Sequence, residues 1–154
     1  MPVLDKFRLD DKVVIVTGAS SGLGVSFAQA CARVMRPGSS IVNISSVLGL
    51  TTAGLPQAAY SASKAAIMGL TRDLAQQWSS RKGIRVNAIA PGFFESDMTD
   101  AYQPGYIESL KPRVLLGRMG DPVELAATLV WLVSDAGGFV TGQTIVVDGG
   151  VTIT

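Results

Sequence analysis

Histidine is absent from this 154-residue chain, and cysteine occurs once, at Cys31. Without histidine, Ser-His-Asp and Cys-His hydrolysis and His-ligated zinc are excluded, and a lone cysteine closes no internal disulfide. Cys31 reads as a small apolar residue on a helix, and no metal site is expected. Acid–base chemistry near neutrality therefore falls to a tyrosine, a lysine or a carboxylate in a perturbing environment. Neither sign of charge dominates: Lys and Arg total 13, Asp and Glu total 12, and the formal net charge is +1. That balance argues against a nucleic-acid partner or a membrane surface held by a basic face. Charged residues make up only 16% of the chain and apolar ones 47%, which excludes intrinsic disorder. Long hydrophobic runs are also missing. The longest, Ala126 to Val133, falls far short of the ~20 residues that a membrane-spanning helix needs. The opening MPVLDKFRLDDK mixes charges of both signs and lacks an apolar core, so no secretory signal is expected and the setting reads as cytoplasmic.

What is present alternates between two periods. Lys12 to Thr17, Ile41 to Ser45, Ile84 to Ala90 and Thr144 to Val147 are short, β-branched, apolar runs that read as strands. Between the first two, Leu23, Phe27, Cys31, Val34 and Met35 share a helical face, which Arg36-Pro37-Gly38 ends. A longer helix spans Gln57 to Ser80, with Ile67, Leu70, Leu74 and Trp78 on its core stripe. Phe93 to Met119 has no sustained period and reads as a loop with one short helix. Asp121-Pro122-Val123-Glu124 carries N-cap, N1 proline and N3 glutamate signals for a helix through about Val133. Strands alternating with helices predict an α/β fold with a parallel sheet.

Several short patterns carry chemistry. Gly18-Ala-Ser-Ser-Gly22-Leu-Gly24 links a predicted strand to a predicted helix, where backbone N–H groups and the helix dipole can hold a phosphate. Phe27 stands where the dinucleotide fingerprint has its third glycine, and alone such a turn is equally a tight connection. Tyr60 and Lys64 lie one helical turn apart on one face. An ammonium there stabilises a phenolate electrostatically, the condition for a tyrosine to exchange protons near neutrality; an isolated pair of this kind is otherwise solvated surface. Ser45 and Ser46 end the second strand, and Pro91-Gly92 ends the third, at the carboxyl edge where open α/β sheets gather ligands. A serine there either caps the strand end or polarises a substrate carbonyl.

Thr17-Gly-Ala-Ser-Ser-Gly-Leu-Gly24, Asn43-Ile-Ser-Ser46, Tyr60-Ser-Ala-Ser-Lys64, Arg85-Val-Asn-Ala-Ile-Ala-Pro-Gly92 and Thr141-Gly-Gln through Val147-Asp-Gly-Gly150 occur in order. Together they resemble the short-chain dehydrogenase/reductase family, close to its 3-oxoacyl-carrier-protein reductases and glucose-dehydrogenase-like members. The resemblance implies an NAD(P)-dependent oxidoreductase acting on a small carbonyl or alcohol. It implies that Gly18, Ser20, Ser21, Gly22, Leu23 and Gly24 hold the cofactor pyrophosphate. Tyr60 is then the acid–base residue, Lys64 its electrostatic partner and a ligand of the nicotinamide ribose, and Ser46 the group that stabilises the carbonyl or alkoxide. Pro91, Gly92 and Ser96 would border the nicotinamide, with Phe93–Met119 as the loop over the substrate. Relatives also commonly form homo-oligomers.

The same resemblance exposes a gap. The family continues from its first helix through further strands and a helix bearing a catalytic asparagine before it reaches the serine strand. Here the two flanking half-helices join within Ala28–Ala32, making one shortened Rossmann-like domain over residues 1–154. No acidic residue occurs between Asp11 and Asp73, where the fingerprint wants one for the adenosine ribose. The first strand can occupy the vacated slot, which predicts about four parallel strands in the order 1-2-3-4. Successive right-handed crossovers then put the helices on one face, and a partner chain would cover the other. Two further readings fit the same residues: a catalytically inactive deletion product or minimal α/β scaffold that oligomerises, and a normal enzyme with a middle segment that this sequence omits.

Overall fold

The computed structural model describes residues 2–8, 14–17, 35–94, 103 and 105–154, with 14–17 as backbone. Within them, β1 (Val14–Thr17), β2 (Ser40–Ile44), β3 (Arg85–Pro91) and β4 (Thr144–Val147) are adjacent in chain order and pair in parallel. Helices α1 (Ala58–Lys82), α2 (Tyr106–Leu110) and α3 (Pro122–Val133) connect the strands after β2. This is the parallel α/β architecture that the alternating periods predict. The expected helix after the glycine turn, the join at Ala28–Ala32, and Gly18 to Gly24 lie outside the described residues.

The helix α1 forms where its apolar residues recur every three or four positions. Ile67, Thr71, Leu74, Ala75 and Trp78 are buried along one stripe. Leu74, Ala75 and Trp78 pack on Ile41 of β2, on Val86 of β3 and on Ile84 just before it, with Met35 and Leu70 closing the margin. Each fully buried aliphatic side chain of this kind contributes roughly 1.5–3 kcal/mol. The helix α3 starts as its sequence dictates. Val123 N–H donates to Asp121 Oδ1 (2.8 Å) and Asp121 N–H donates to Glu124 Oε2 (2.9 Å), a reciprocal capping box around Pro122.

The two crossovers differ from expectation. Ile41 faces α1, whereas its neighbour Val42 packs with Ile89 against Leu132 and Val133 of α3. Successive strand residues point to opposite faces, so α1 and α3 cover opposite sides of the sheet. Both connections advance one strand in the same direction, and their hands are therefore opposite. The long segment from Gly92 to Asp121 separates β3 from α3 and frees that crossover from the short-connection rule. Over β2 and β3, the second apolar face is thus filled by this chain's own α3 rather than by a partner.

Polar side chains lock this arrangement. Arg85 Nη1 donates to Leu132 O (2.6 Å) and Val140 O (3.4 Å), and Nη2 donates to Ser134 O (3.3 Å), gathering the carbonyls at the end of α3. Asn87, fully buried, donates to Val140 O (2.8 Å) and accepts from Gln143 N–H (3.1 Å), fixing the approach to β4. Asn87→Ala would leave both main-chain groups unpaired in the interior. We expect it to lower unfolding free energy by about 2–4 kcal/mol, read from urea denaturation.

The Arg118 guanidinium grips Glu124 through two hydrogen bonds, at 2.7 and 2.8 Å. Those bonds first, and the Asp121 N–H second, lower the Glu124 carboxyl from 4.5 to about 2. A carboxyl whose folded pKa is depressed stabilises the fold above its ordinary pKa and loses that contribution as pH falls through the folded value. The stability difference between the unaltered chain and Glu124→Gln is therefore expected to be constant near neutrality and to close as pH drops from 4.5 towards 2. Denaturation curves recorded across that window would check it.

Candidate functional site

The site is built where β2 ends. Ser45 N–H donates to Ile89 O (2.7 Å), so the strand ladder holds the chain until it turns. Ser46 then adopts extended backbone, and its Oγ accepts from Leu48 N–H (3.1 Å), capping a 3-10 turn over Val47–Gly49. A hydroxyl that accepts in this way keeps its own proton for a partner at the sheet edge. Ser46 is 8% exposed, and Val47 and Leu48 behind it are buried.

Helix α1 crosses this turn at close range. A Cβ on Gly49 would lie 2.8 Å from Ala65 N and 2.9 Å from the Lys64 carbonyl carbon, so only glycine lets the two backbones meet. The contact is then fastened twice. Ser45 Oγ donates to Lys64 O (2.8 Å), and Lys64 Nζ donates to Ile44 O (3.2 Å). Nearer the middle of the sheet, Asn43 Nδ2 donates to Thr71 Oγ1 (3.0 Å), which donates to Ile67 O (2.8 Å).

These contacts orient the pair that the spacing selects. Lys64 Nζ sits 5.5 Å from the centroid of the Tyr60 ring, and both side chains are half-buried. Desolvation lowers the Lys64 ammonium below its ordinary pKa. Tyr60 packs against a buried apolar cluster of Val47, Leu48, Ala53 and Leu110, together with Phe93 and Tyr106. Its hydroxyl makes no hydrogen bond with the described residues. The arrangement presents a phenol with a cation beside it and an apolar wall behind it.

The neighbouring strand ends reach the same edge. Pro91 pairs with Val147, and Gly92 N–H donates to Val147 O (2.9 Å). A Cβ on Gly92 would stand 2.7 Å from Asp148 Cα, which explains the glycine by packing alone. Burial pushes the Asp148 carboxyl up, yet hydrogen bonds hold it below its usual range; Gly150 and Thr152 N–H donate to it, each at 2.8 Å. A cavity of about 130 Å³ opens here, with Phe93, Phe94, Met119 and Asp148 among its lining residues.

The structure thus brings Ser46, Tyr60, Lys64, Pro91 and Gly92 to one sheet edge. Gly18, Ser20, Ser21, Gly22, Leu23, Gly24 and Ser96 lie outside the described residues. Sequence reasoning missed Ser45 as the fastening of α1, and Asp148 as the organiser of the last turn. It also missed Asn87 as the tie between β3 and β4. A buried-strand pattern interrupted by Asn87 was the available signal, because a polar side chain inside a parallel sheet needs partners.

Over residues 17–152 the chain matches the family model described as enoyl-(acyl carrier protein) reductase. It is 46% identical over 115 residues to the 3-oxoacyl-[acyl-carrier-protein] reductase FabG of Thermotoga maritima, covering 74% of this chain and 46% of that protein. A second 3-oxoacyl-[acyl-carrier-protein] reductase FabG, from Rickettsia felis, is 45% identical over 112 residues, covering 72% of this chain and 45% of the relative. Among solved structures, a gluconate 5-dehydrogenase from Burkholderia cenocepacia in complex with NADP and tartrate superposes with TM-score 0.74 at 33% identity, over 86% of this chain and 51% of that one. A short-chain dehydrogenase/reductase from Brucella melitensis, named glucose/ribitol dehydrogenase, gives TM-score 0.76 at 32% identity, over 83% and 51%. The chain spans about half the length of the curated relatives it matches. In motif order, sheet topology and likeness to these proteins, the chain belongs to the short-chain dehydrogenase/reductase family.

Proposed function

We propose that the chain is an NAD(P)-dependent oxidoreductase that interconverts a small carbonyl compound and its alcohol, with Tyr60 as acid and base. The observation that carries this reading is the Lys64 ammonium 5.5 Å from the Tyr60 ring, held there by Ile44 O at the end of the serine strand. Ser46 donates to the carbonyl oxygen, and Tyr60 passes it a proton as the alkoxide forms. Lys64 keeps the resulting phenolate in a favourable field. When bound, the nicotinamide supplies or removes the hydride. The edge formed by Lys64, Pro91 and Gly92 suits the nicotinamide ribose and ring: the Lys64 ammonium has donors beyond the one given to Ile44 O, and β3 ends beside it at Pro91. Gly18, Ser20, Ser21, Gly22, Leu23 and Gly24 would hold the pyrophosphate, and Ser96 would border the nicotinamide. One shortened domain, joined within Ala28–Ala32 and self-associating as a homo-oligomer, completes the proposal.

The alternative is a catalytically silent scaffold that keeps only the substrate half. Two facts favour it: the chain covers about half of its relatives' length, and no acidic residue lies between Asp11 and Asp73 to meet an adenosine ribose. Titrating NADH and NADPH against the purified chain separates the readings. Saturable binding below millimolar concentration, with ketone-dependent loss of reduced-nicotinamide absorbance, is expected for the enzyme. No binding of either cofactor favours the scaffold.

For the active chain, Tyr60→Phe should reduce turnover by about 10²–10⁴-fold while the circular dichroism spectrum is unchanged. Retained turnover in that variant rejects the assigned proton transfer.

A further inference from the structure

The segment from Gly105 to Val114 packs beside Tyr60 through Tyr106 and Leu110, which join the apolar cluster that the Tyr60 ring touches. Leu110 and Val114 are 5% and 7% exposed, so apolar burial binds the segment to the body. Burial of this kind is non-directional and leaves orientation open. Direction comes from two side chains. Tyr106 OH donates to Ala53 O (2.9 Å), and Arg113 Nη1 donates to Thr52 O (2.7 Å). Both acceptors are adjacent main-chain carbonyls in the loop that runs from Ser46 to Tyr60. Beyond Arg113, the segment is tied to the turn after β4: Thr154 Oγ1 donates to Arg113 O (3.1 Å), and Leu116 N–H donates to Gly149 O (3.2 Å).

We propose that Tyr106 and Arg113 are positioning residues for the reaction at Tyr60, an inference that rests on the oxidoreductase reading above. They hang the 105–114 segment from the Ser46–Tyr60 loop, and so hold Tyr106 and Leu110 in the apolar cluster that the Tyr60 ring touches. Neither touches the reacting atoms. Their contribution is to hold the apolar wall against the phenol, so that a ketone meets Ser46 and Tyr60 in one orientation. Loss of either bond frees the segment to shift and weakens substrate binding more than the chemical step.

The test uses the full chain with ethyl acetoacetate as substrate and NADPH as hydride donor, alongside amide hydrogen exchange over residues 105–114. Tyr106→Phe and Arg113→Gln are each expected to speed that exchange and raise KM by about 2–10-fold, with kcat within twofold. Arg113→Lys, which restores a donor to Thr52 O, should recover most of both effects. Normal turnover with unchanged KM in both variants overturns the positioning role while leaving the oxidoreductase reading intact. Faster exchange with no change in KM overturns it too, because the bonds then serve only the fold. Absence of turnover in the unaltered chain rejects the oxidoreductase reading and, with it, the positioning role.

Discussion

Everything at the carboxyl edge depends on how closely α1 seats against the end of β2. The seat has three parts that reinforce one another: a glycine that lets two backbones touch, a serine hydroxyl that takes the Lys64 carbonyl, and a strand carbonyl that takes the Lys64 ammonium. Each bond alone is worth about 1 kcal/mol net, too little to define an active-site geometry. Together they act on one residue from both its main chain and its side chain. Lys64 is therefore positioned by the fold before any ligand arrives, and Tyr60, one turn earlier, inherits that position. A helix held only by its apolar stripe could slide or roll; this one is pinned beside Tyr60 and Lys64.

A second constraint works at the opposite edge of the sheet. Arg85 collects three carbonyls from the end of α3 and the segment that follows it, and Asn87 ties the chain entering β4 to β3. These polar residues let α3 cover the face opposite α1 even though its crossover has the other hand. Hydrophobic burial of Val42, Ile89, Leu132 and Val133 supplies the attraction, and the buried donors determine which register satisfies every main-chain group. The sheet thus obtains two covered faces over β2 and β3 from a short chain.

The legible parts of this molecule are those in which local pattern and final structure agree. The helix α1 was readable because its stripe at Ile67, Leu74 and Trp78 faces the core as the period demands, and its observed bounds, Ala58–Lys82, differ from the expected ones by one or two residues. The start of α3 was readable from Asp121-Pro122-Val123-Glu124 because a capping box is a purely local device. The Tyr60–Lys64 pair was readable for the same reason: helical spacing alone brings the two side chains together. Which face α3 covers was not readable, because it depends on the path of the 92–121 segment, and no local propensity encodes that path. The ties from Ser45 to Lys64, from Asn87 to Gln143 and from Arg113 to Thr52 span 19 to 61 residues, and sequence spacing carries no trace of them.

The motifs that identify the family divide accordingly into two physical kinds. Tyr60, Lys64 and Ser46 gather polar groups at the sheet edge where β2 ends, and the proposed reaction would use them there. Arg85, Asn87, Gly92 and Asp148 spend their side chains, or in Gly92 the lack of one, on neighbouring segments of the same chain. The second group ties β3 and β4 to the segments around them within this chain: Arg85 and Asn87 to the stretch from Leu132 to Gln143, and Asp148 to the turn at Gly150 and Thr152. What these ties hold together is therefore the sheet edge on which the proposed reaction would run. Under the proposed function the remaining requirement is a hold on the cofactor's adenosine end, for which the sequence offers no acidic residue between Asp11 and Asp73.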